Sequence, residues 1–359
     1  MTIHIKSIND SKIELFFNKK NITIITNNDY EKIIIYRDLV IYISLLTIDS
    51  GTMYLYENNE KYIDWCINSI ICILNNNEFP IGIGYGYSGI GYMLYILSYI
   101  TNKYEILHND IDKKIINYLN IISYYGFKEN NMNNLILFLD YFKGLIGVLN
   151  YLDIEQNDDD IIKKIIIKLS ENFIMFQKQC KMPLGIAHGY SGMLLFLIRT
   201  RYLSIEEKKV ILKKIQQEFI QYDNLDIRDN ELSWGNGKYG QLYVIILLKK
   251  LLGISFENEK KELFNLCNFN KKYTHKKNMC SGINGCQKMA INLYKYKLIS
   301  NEELNDLIKL ISDRYMINSN FPSCYSVKEM SVINGIFAES LITKLNKKGE
   351  KIYSKYFMI

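Results

Sequence analysis

Two kinds of helical segment alternate along this chain. One kind is apolar almost all round, as in Ile90 to Ile100, Met193 to Tyr202 and Leu242 to Leu248, and a helix without a polar face belongs in an interior. The other kind mixes polar with apolar residues, as in Asp112 to Tyr125, Asp158 to Gln177, Ser204 to Gln221, Asn258 to Cys267 and Asn301 to Tyr315. Inner, buried helices therefore alternate with outer, amphipathic ones. Tyr30 to Leu46 and Lys61 to Leu74 read as the first helices. Before them, Lys6 to Thr26 carries short apolar runs, Ile13 to Phe17 and Ile22 to Ile25, that suit a small β edge or an irregular cover.

Glycines precede the inner helices at a regular interval. The stretch P-L-G-I-A-H-G-Y-S-G, Pro183 to Gly192, is matched 103 positions earlier by P-I-G-I-G-Y-G-Y-S-G, Pro80 to Gly89. Relaxed to G-x-x-G, the pattern recurs at Gly86 to Gly89, Gly144 to Gly147, Gly189 to Gly192, Gly237 to Gly240 and Gly282 to Gly285. A weaker copy starts at Gly335, with Ala338 in place of the second glycine. First glycines are 58, 45, 48, 45 and 53 residues apart, a period that fits two helices and two connections. Closing six or seven such pairs into a ring predicts an all-α fold, an α/α toroid or double-layered α/α barrel, with the G-x-x-G turns at one end of the cavity. Glycine suits a crowded mouth because it allows positive φ or close backbone approach. Since the repeat spans most of the 359 residues, the whole chain, 1–359, reads as one domain, with 1–60 as cover and first helices.

Composition narrows the picture further. Hydrophobic residues make up 48% of the chain and only 3 prolines interrupt it, as an all-helical reading requires. A net charge of +6 suits an acidic partner such as a peptide leader, whereas no basic stripe with interleaved aromatics points to nucleic acid. The longest uncharged run, Phe79 to Asn102, begins with the glycine repeat and reads as turn plus buried helix, so no transmembrane segment is expected. Charges throughout Met1 to Lys12 argue against a signal peptide. Seven cysteines, an odd and scattered set, read as reduced thiols and place the chain in the cytoplasm; Cys66 and Cys72 are expected to be small core residues. Gly84, Gly86 and Gly89 spell G-x-G-x-x-G, but no strand precedes them, so the repeat explains them better than a dinucleotide site does.

Aligned on their glycines, the turns place Tyr85, Lys143, His188, Asn236 and Ser281 one residue before the first motif glycine. An imidazole titrates near neutrality, so His188 at the end of a cavity is a candidate for proton transfer. His4 and His108 read as surface residues and His275 as part of a lysine-rich loop.

With these motifs the chain resembles the lanthipeptide cyclases, the lanthionine synthetase C-like (LanC-like) family. Ala187-His188-Gly189 with Gly192 matches its A-H-G-x-x-G, and Asp140 with Gly144 and Gly147 matches D-x-x-x-G-x-x-G. Trp234 with Gly237 and Gly240 matches W-C-x-G-x-x-G except at the cysteine, while Cys280 with Gly282 and Gly285 matches C-H-G-x-x-G except at the histidine. The resemblance covers about Pro80 to the C-terminus and implies the same α/α toroid.

It also implies a chemistry: Michael-type addition of a peptide cysteine thiolate to dehydroalanine or dehydrobutyrine, which closes a thioether ring. By resemblance His188 is the general acid or base and Asp140 orients it; Tyr85 is a candidate for contacting substrate, and Trp234 either stacks a substrate or packs in the wall. In the family two cysteines and one histidine hold a zinc; the corresponding residues are Gly235, Cys280 and Ser281. Only Cys280 survives as a ligand, and a catalytic zinc needs three, so no cofactor is expected unless substitutes such as His275 or Cys324 fold inward; Cys286 should lie on another helix face than Cys280. Two main readings follow: a zinc-independent cyclase, or a non-catalytic scaffold that binds precursor peptide or a partner such as a dehydratase. Either implies a dehydrated, cysteine-containing precursor peptide as partner. Glycoside chemistry would need a second carboxylate at the mouth beside Asp140.

Overall fold

The computed structural model describes residues 3–9, 12–17, 20–76, 80–84, 86–125, 140–157, 159–179, 185–219, 232–235, 237–268, 273–274, 282–316, 324–326, 341, 345 and 348–358. The chain opens with strands β1 (Ile3–Asn9), β2 (Lys12–Phe17) and β3 (Lys20–Ile25), an antiparallel meander. Helices α1 (Asp29–Ser50), α2 (Tyr54–Glu57) and α3 (Glu60–Asn76) follow. The repeats then supply α4 (Tyr87–Ser98), α5 (Glu105–Tyr125), α6 (Leu145–Glu155), α7 (Asp160–Gln179), α8 (Tyr190–Arg199) and α9 (Ile205–Phe219). After these come α10 (Lys238–Leu252), α11 (Glu257–Asn268), β4 (Tyr273–Thr274), α12 (Ile283–Lys295) and α13 (Asn301–Arg314). Strands β5 (Tyr315–Met316) and β6 (Cys324–Ser326) and helix α14 (Lys348–Tyr356) complete the described elements.

The expected two layers are present as an α/α toroid. Inner helices α1, α4, α6, α8, α10 and α12 pack on one another in chain order, and outer helices α3, α5, α9, α11 and α13 each back an inner one. Burial follows the sequence pattern: Ile33 to Thr47 of α1 is buried without a break, as are Tyr190 to Leu197 of α8. Helix starts differ between the layers. Outer helices α9 and α13 begin with reciprocal caps, Ser204 with Glu207 and Ser300 with Glu303, in which each serine hydroxyl accepts the glutamate N–H and each carboxylate accepts the serine N–H. Inner helices α4, α6, α8, α10 and α12 start on the first glycine of each motif, in extended conformation and without a side-chain cap.

The second motif glycine has a different task. A Cβ on Gly89, Gly147, Gly192 or Gly240 would strike the carbonyl oxygen of Ile83, Tyr141, Ile186 or Trp234 respectively, in each case the residue six positions earlier. The turn thus folds its own backbone over the first turn of the helix, and only glycine leaves room. Close approach, not positive φ, is the reason for these glycines; the described glycines with positive φ are Gly51 and Gly253, at the C-caps of α1 and α10.

Of the two alternatives for the N-terminal segment the β edge is the one formed, as a regular meander, and β6, some 300 positions later, joins it in parallel beside β3. Cys66 is buried as expected, but Cys72 is exposed. The C-terminal helix α14 packs against the inner helices α1 and α6. The Tyr92 hydroxyl donates to the Ile352 carbonyl at 3.0 Å and the Asn150 amide to that of Lys355 at 3.4 Å, while Tyr353, Phe357 and Met358 are buried. Cys286 is buried within α12, and the weak motif at Gly335 lies outside the described residues.

A buried ion pair ties the first turn to α1. Arg37 and Asp38 are both fully buried; Arg37 donates through Nε and Nη2 to Asp38 Oδ1 at 2.8 and 2.6 Å and through Nη1 to the Gly84 carbonyl at 2.6 Å. Removing one partner of such a pair strands a buried charge, so Arg37→Leu should lower unfolding free energy by about 3–5 kcal/mol in urea titrations. Gly147→Ala should destabilise by about 1–3 kcal/mol through overpacking, although alanine in an unconstrained helix is favoured over glycine by about 1 kcal/mol. A stabilised Gly147→Ala protein would show that the turn does not close over α6 as described.

Candidate active site at the glycine turns

The turns are laced to one another by backbone hydrogen bonds. Gly84 N–H donates to the Phe142 carbonyl at 2.8 Å, Tyr141 N–H to that of Ala187 at 3.0 Å, and Ala187 N–H to that of Gly235 at 2.8 Å. Gly84, Phe142, Ala187 and Gly235 all stand two residues before the first glycine of their motif. Four separate repeats are thereby held in register, which sets the place of the residue that follows the laced position in the second and third turns.

In the third turn that residue is His188. Its Nδ1 lies 2.6 Å from Asp140 Oδ2, across 48 positions of sequence. Asp140 is nearly buried and its Oδ1 accepts the Lys143 N–H at 2.8 Å, while its carbonyl accepts the Gly144 N–H at 3.0 Å. The carboxylate is therefore fixed by its own turn before it meets the imidazole. With Nδ1 facing a carboxylate, that nitrogen carries the proton and Nε2 is left as the ring's acceptor. The His188 side chain is 37% exposed, so Nε2 belongs to a ring that solvent or substrate can reach.

An aromatic column supports the imidazole. Phe142 lies beside His188 with centroids 5.9 Å apart, and Trp234 packs against Phe142 at 6.0 Å, Tyr141 at 5.9 Å and Phe357 at 5.4 Å. Trp234 is fully buried. Of its two expected roles, substrate contact and wall packing, the burial and the neighbouring rings favour the wall behind His188. Lys143, at the corresponding place in the second turn, is exposed. Tyr85 and Cys280, the other substrate and metal candidates, lie outside the described residues, as do Asn236, His275 and Ser281.

The zinc implied by the family resemblance meets a poor donor set. Gly235 has no side chain, and its carbonyl oxygen is engaged by Ala187 N–H in the lacing. Serine at 281 is a weak zinc ligand. Among the described residues, the one group of three metal-capable side chains lies elsewhere: His108, Asp112 and Glu155. Sequence reading left His108 on the surface, yet its side chain is 13% exposed. Burial and the charge of Glu155 push the Asp112 carboxyl up to about 7. Against burial, hydrogen bonds from His108 and Asp112 hold Glu155 below the usual carboxylate range, and the Glu155 contact holds His108 above the usual imidazole range. The available signal was two i,i+4 pairs, His108 with Asp112 and Tyr151 with Glu155, each on one helix face.

Comparison with known proteins agrees with the fold. Among solved structures the chain is similar to nisin cyclase, with a TM-score of 0.65 and 17% sequence identity, over 89% of this chain and 91% of that one. No curated protein sequence matches it. No described helix is long and apolar enough to cross a membrane. The model of the family described as lanthionine synthetase C-like protein matches residues 43–337, and with the laced glycine turns in place the chain belongs to that family.

Proposed function

We propose that this chain is a cytoplasmic peptide cyclase that forms thioether rings without a catalytic zinc. Its substrate is a precursor peptide in which serine or threonine has been dehydrated and cysteine retained, as a dehydratase partner would deliver it. The observation that carries the reading is the His188–Asp140 pair, seated where successive turns converge and on a ring that is part exposed. The peptide thiol loses its proton to His188 Nε2, the sulfur attacks the β-carbon of the dehydroamino acid, and the resulting enolate takes a proton at its α-carbon from the same imidazolium. Electrons balance: one C–S bond forms, the C=C π bond is consumed, and the thiol hydrogen ends on carbon. Asp140 keeps Nδ1 protonated and steadies the imidazolium between the two transfers. The uncapped starts of the inner helices favour the developing anion, by a smaller margin.

Gly235 favours a second reading, a scaffold that holds precursor peptide or a modifying enzyme, because that position offers no metal ligand. The two separate in one assay. A dehydrated, cysteine-containing peptide is incubated with the protein and its remaining thiols are counted by alkylation and mass, since ring closure itself leaves mass unchanged. His188→Ala should lower the rate by about 10²–10⁴-fold, the usual worth of a positioned acid or base, with an unaltered melting curve. Asp140→Asn should lower it too, and chiefly in kcat. Ring formation unaffected by His188→Ala removes the catalytic assignment; absence of turnover in the wild type, with peptide still bound, supports the scaffold.

A further inference from the structure

The inner helices begin at the glycine turns and end at the opposite face of the toroid. At that far end, between the last turn of α4, the N-terminal half of α5 and the end of α6, is a cavity of about 460 Å³. Glu155 is the last residue of α6, and the next residue, Gln156, closes the helix in the left-handed region with φ 64°, which fixes where the helix ends. His108 and Asp112, one turn apart on α5, face Tyr151 and Glu155, one turn apart on α6. His108 Nε2 lies 3.1 Å from Glu155 Oε1 and 3.0 Å from the Tyr151 hydroxyl, which donates to Asp112 Oδ1 at 2.6 Å. One donor atom from each of His108, Asp112 and Glu155 falls within 4.8 Å of the other two.

From this arrangement we propose that His108, Asp112 and Glu155 form a second-face binding site for a divalent transition-metal ion, with zinc the best match. The donor set is one imidazole nitrogen and two carboxylate oxygens, the borderline combination that zinc accepts. Ligand atoms about 2.1 Å from a tetrahedral ion stand about 3.4 Å apart, close to the observed separation of His108 Nε2 from Glu155 Oε1. Glu105, Asp112 and Glu155 line the cavity beside His108, with no lysine or arginine among the described lining residues. Three protein ligands leave a fourth position open toward the cavity, where water or a small anionic ligand would sit.

An independent feature supports the ligand shell. Gly91 on α4 lacks the side chain that would occupy the space of the Tyr151 phenol: a Cβ there would stand 2.5 Å from the hydroxyl oxygen. The missing side chain lets Tyr151 reach across and hold Asp112 by one oxygen, which orients the carboxylate; an ion would take the place of the proton that Asp112 shares with Glu155. Such outer hydrogen bonds orient metal ligands, and losing one typically costs about 10–100-fold in affinity.

Zinc titrated into the EDTA-stripped full-length chain and followed by calorimetry tests the proposal, with cobalt(II) absorption reporting the donor atoms. One ion per chain is expected in the wild type and in Cys280→Ser, and the cobalt complex should lack a sulfur-to-metal charge-transfer band. Asp112→Asn and Glu155→Gln, checked for folding by circular dichroism, should each weaken binding by more than the outer-shell range, and Gly91→Ala by about 10–100-fold. No binding to the wild type, binding lost in Cys280→Ser, or affinity unchanged in both carboxylate variants overturns the site. Should the variants fail to fold, a thiolate band in wild-type cobalt protein is sufficient to reject it. Neither ring formation nor its absence enters any of these readouts.

Discussion

The backbone lacing between turns is the constraint on which the rest of this structure depends. Each inner helix is short, from 10 to 15 residues between α4 and α12, and an isolated helix of that length is marginal in water. What fixes these helices relative to one another is contact between their starts: Gly84 to Phe142, Tyr141 to Ala187, Ala187 to Gly235. Those bonds require each turn to lie flat over its own helix, and flatness requires the second glycine of each motif, where a Cβ would meet the carbonyl six residues back. The repeated glycines are thus a steric condition for lacing, and lacing is the condition for a common mouth. The contact between Asp140 and His188 follows from it. Asp140 and His188 are 48 positions apart and reach 2.6 Å because Tyr141, next to Asp140, donates to the carbonyl of Ala187, next to His188.

This coupling explains which parts of the fold were legible in sequence. The alternation of apolar and amphipathic helices is local, since burial of a helix is set by residues within a few turns, and its period located the elements closely. His188 and Asp140 stood out because each is fixed at a set distance from a motif glycine. Trp234 stood at an equally fixed distance, but its role depended on what packs against it. Phe357, whose ring meets it nearly at right angles, arrives from the C-terminus with no motif to announce it. The pairing of β3 with β6 was hidden for the same reason: strands some 300 positions apart leave no short-range pattern. The His108 group was half legible. Two i,i+4 pairs are visible in the sequence, but the choice of α6 as partner of α5 is tertiary, and without it His108 reads as one more polar residue on an outer helix.

The aromatic column gives the mouth a stiffness that its exposed position would not otherwise have. Phe357, Trp234, Phe142 and His188 form a continuous stack of contacts from the C-terminal segment to the imidazole. Aromatic pairs of this kind contribute about 0.5–1.5 kcal/mol each beyond their buried area. The same segment is bonded to α4 through Tyr92 and to α6 through Asn150, whose amide also reaches the Tyr141 hydroxyl at 2.9 Å. Catalytic residues on loops gain precision when a scaffold locks their rotamers. Here the scaffold is the C-terminal helix packed on the inner layer, so the end of the chain contributes to the position of a residue in its middle.

The size of the task that remains without zinc at the family position decides whether a metal-free mechanism is reasonable. A peptide cysteine with an ordinary pKa near 8.5 is a few per cent thiolate at pH 7, a deficit of about 2 kcal/mol. That is a small share of the acceleration enzymes achieve, which spans about 8–23 kcal/mol. A positioned base contributes about 10²–10⁴-fold, or roughly 3–5 kcal/mol, which covers the deprotonation and leaves some over. Holding the thiol against the alkene in attack geometry contributes more, up to about 7–11 kcal/mol for well-oriented intramolecular reactions, and it draws on shape, not on a metal. The requirement therefore shifts from thiol acidity to orientation. In this chain the turns that would supply orientation are laced to one another, and Gly235, by giving its carbonyl to Ala187, takes part in that lacing.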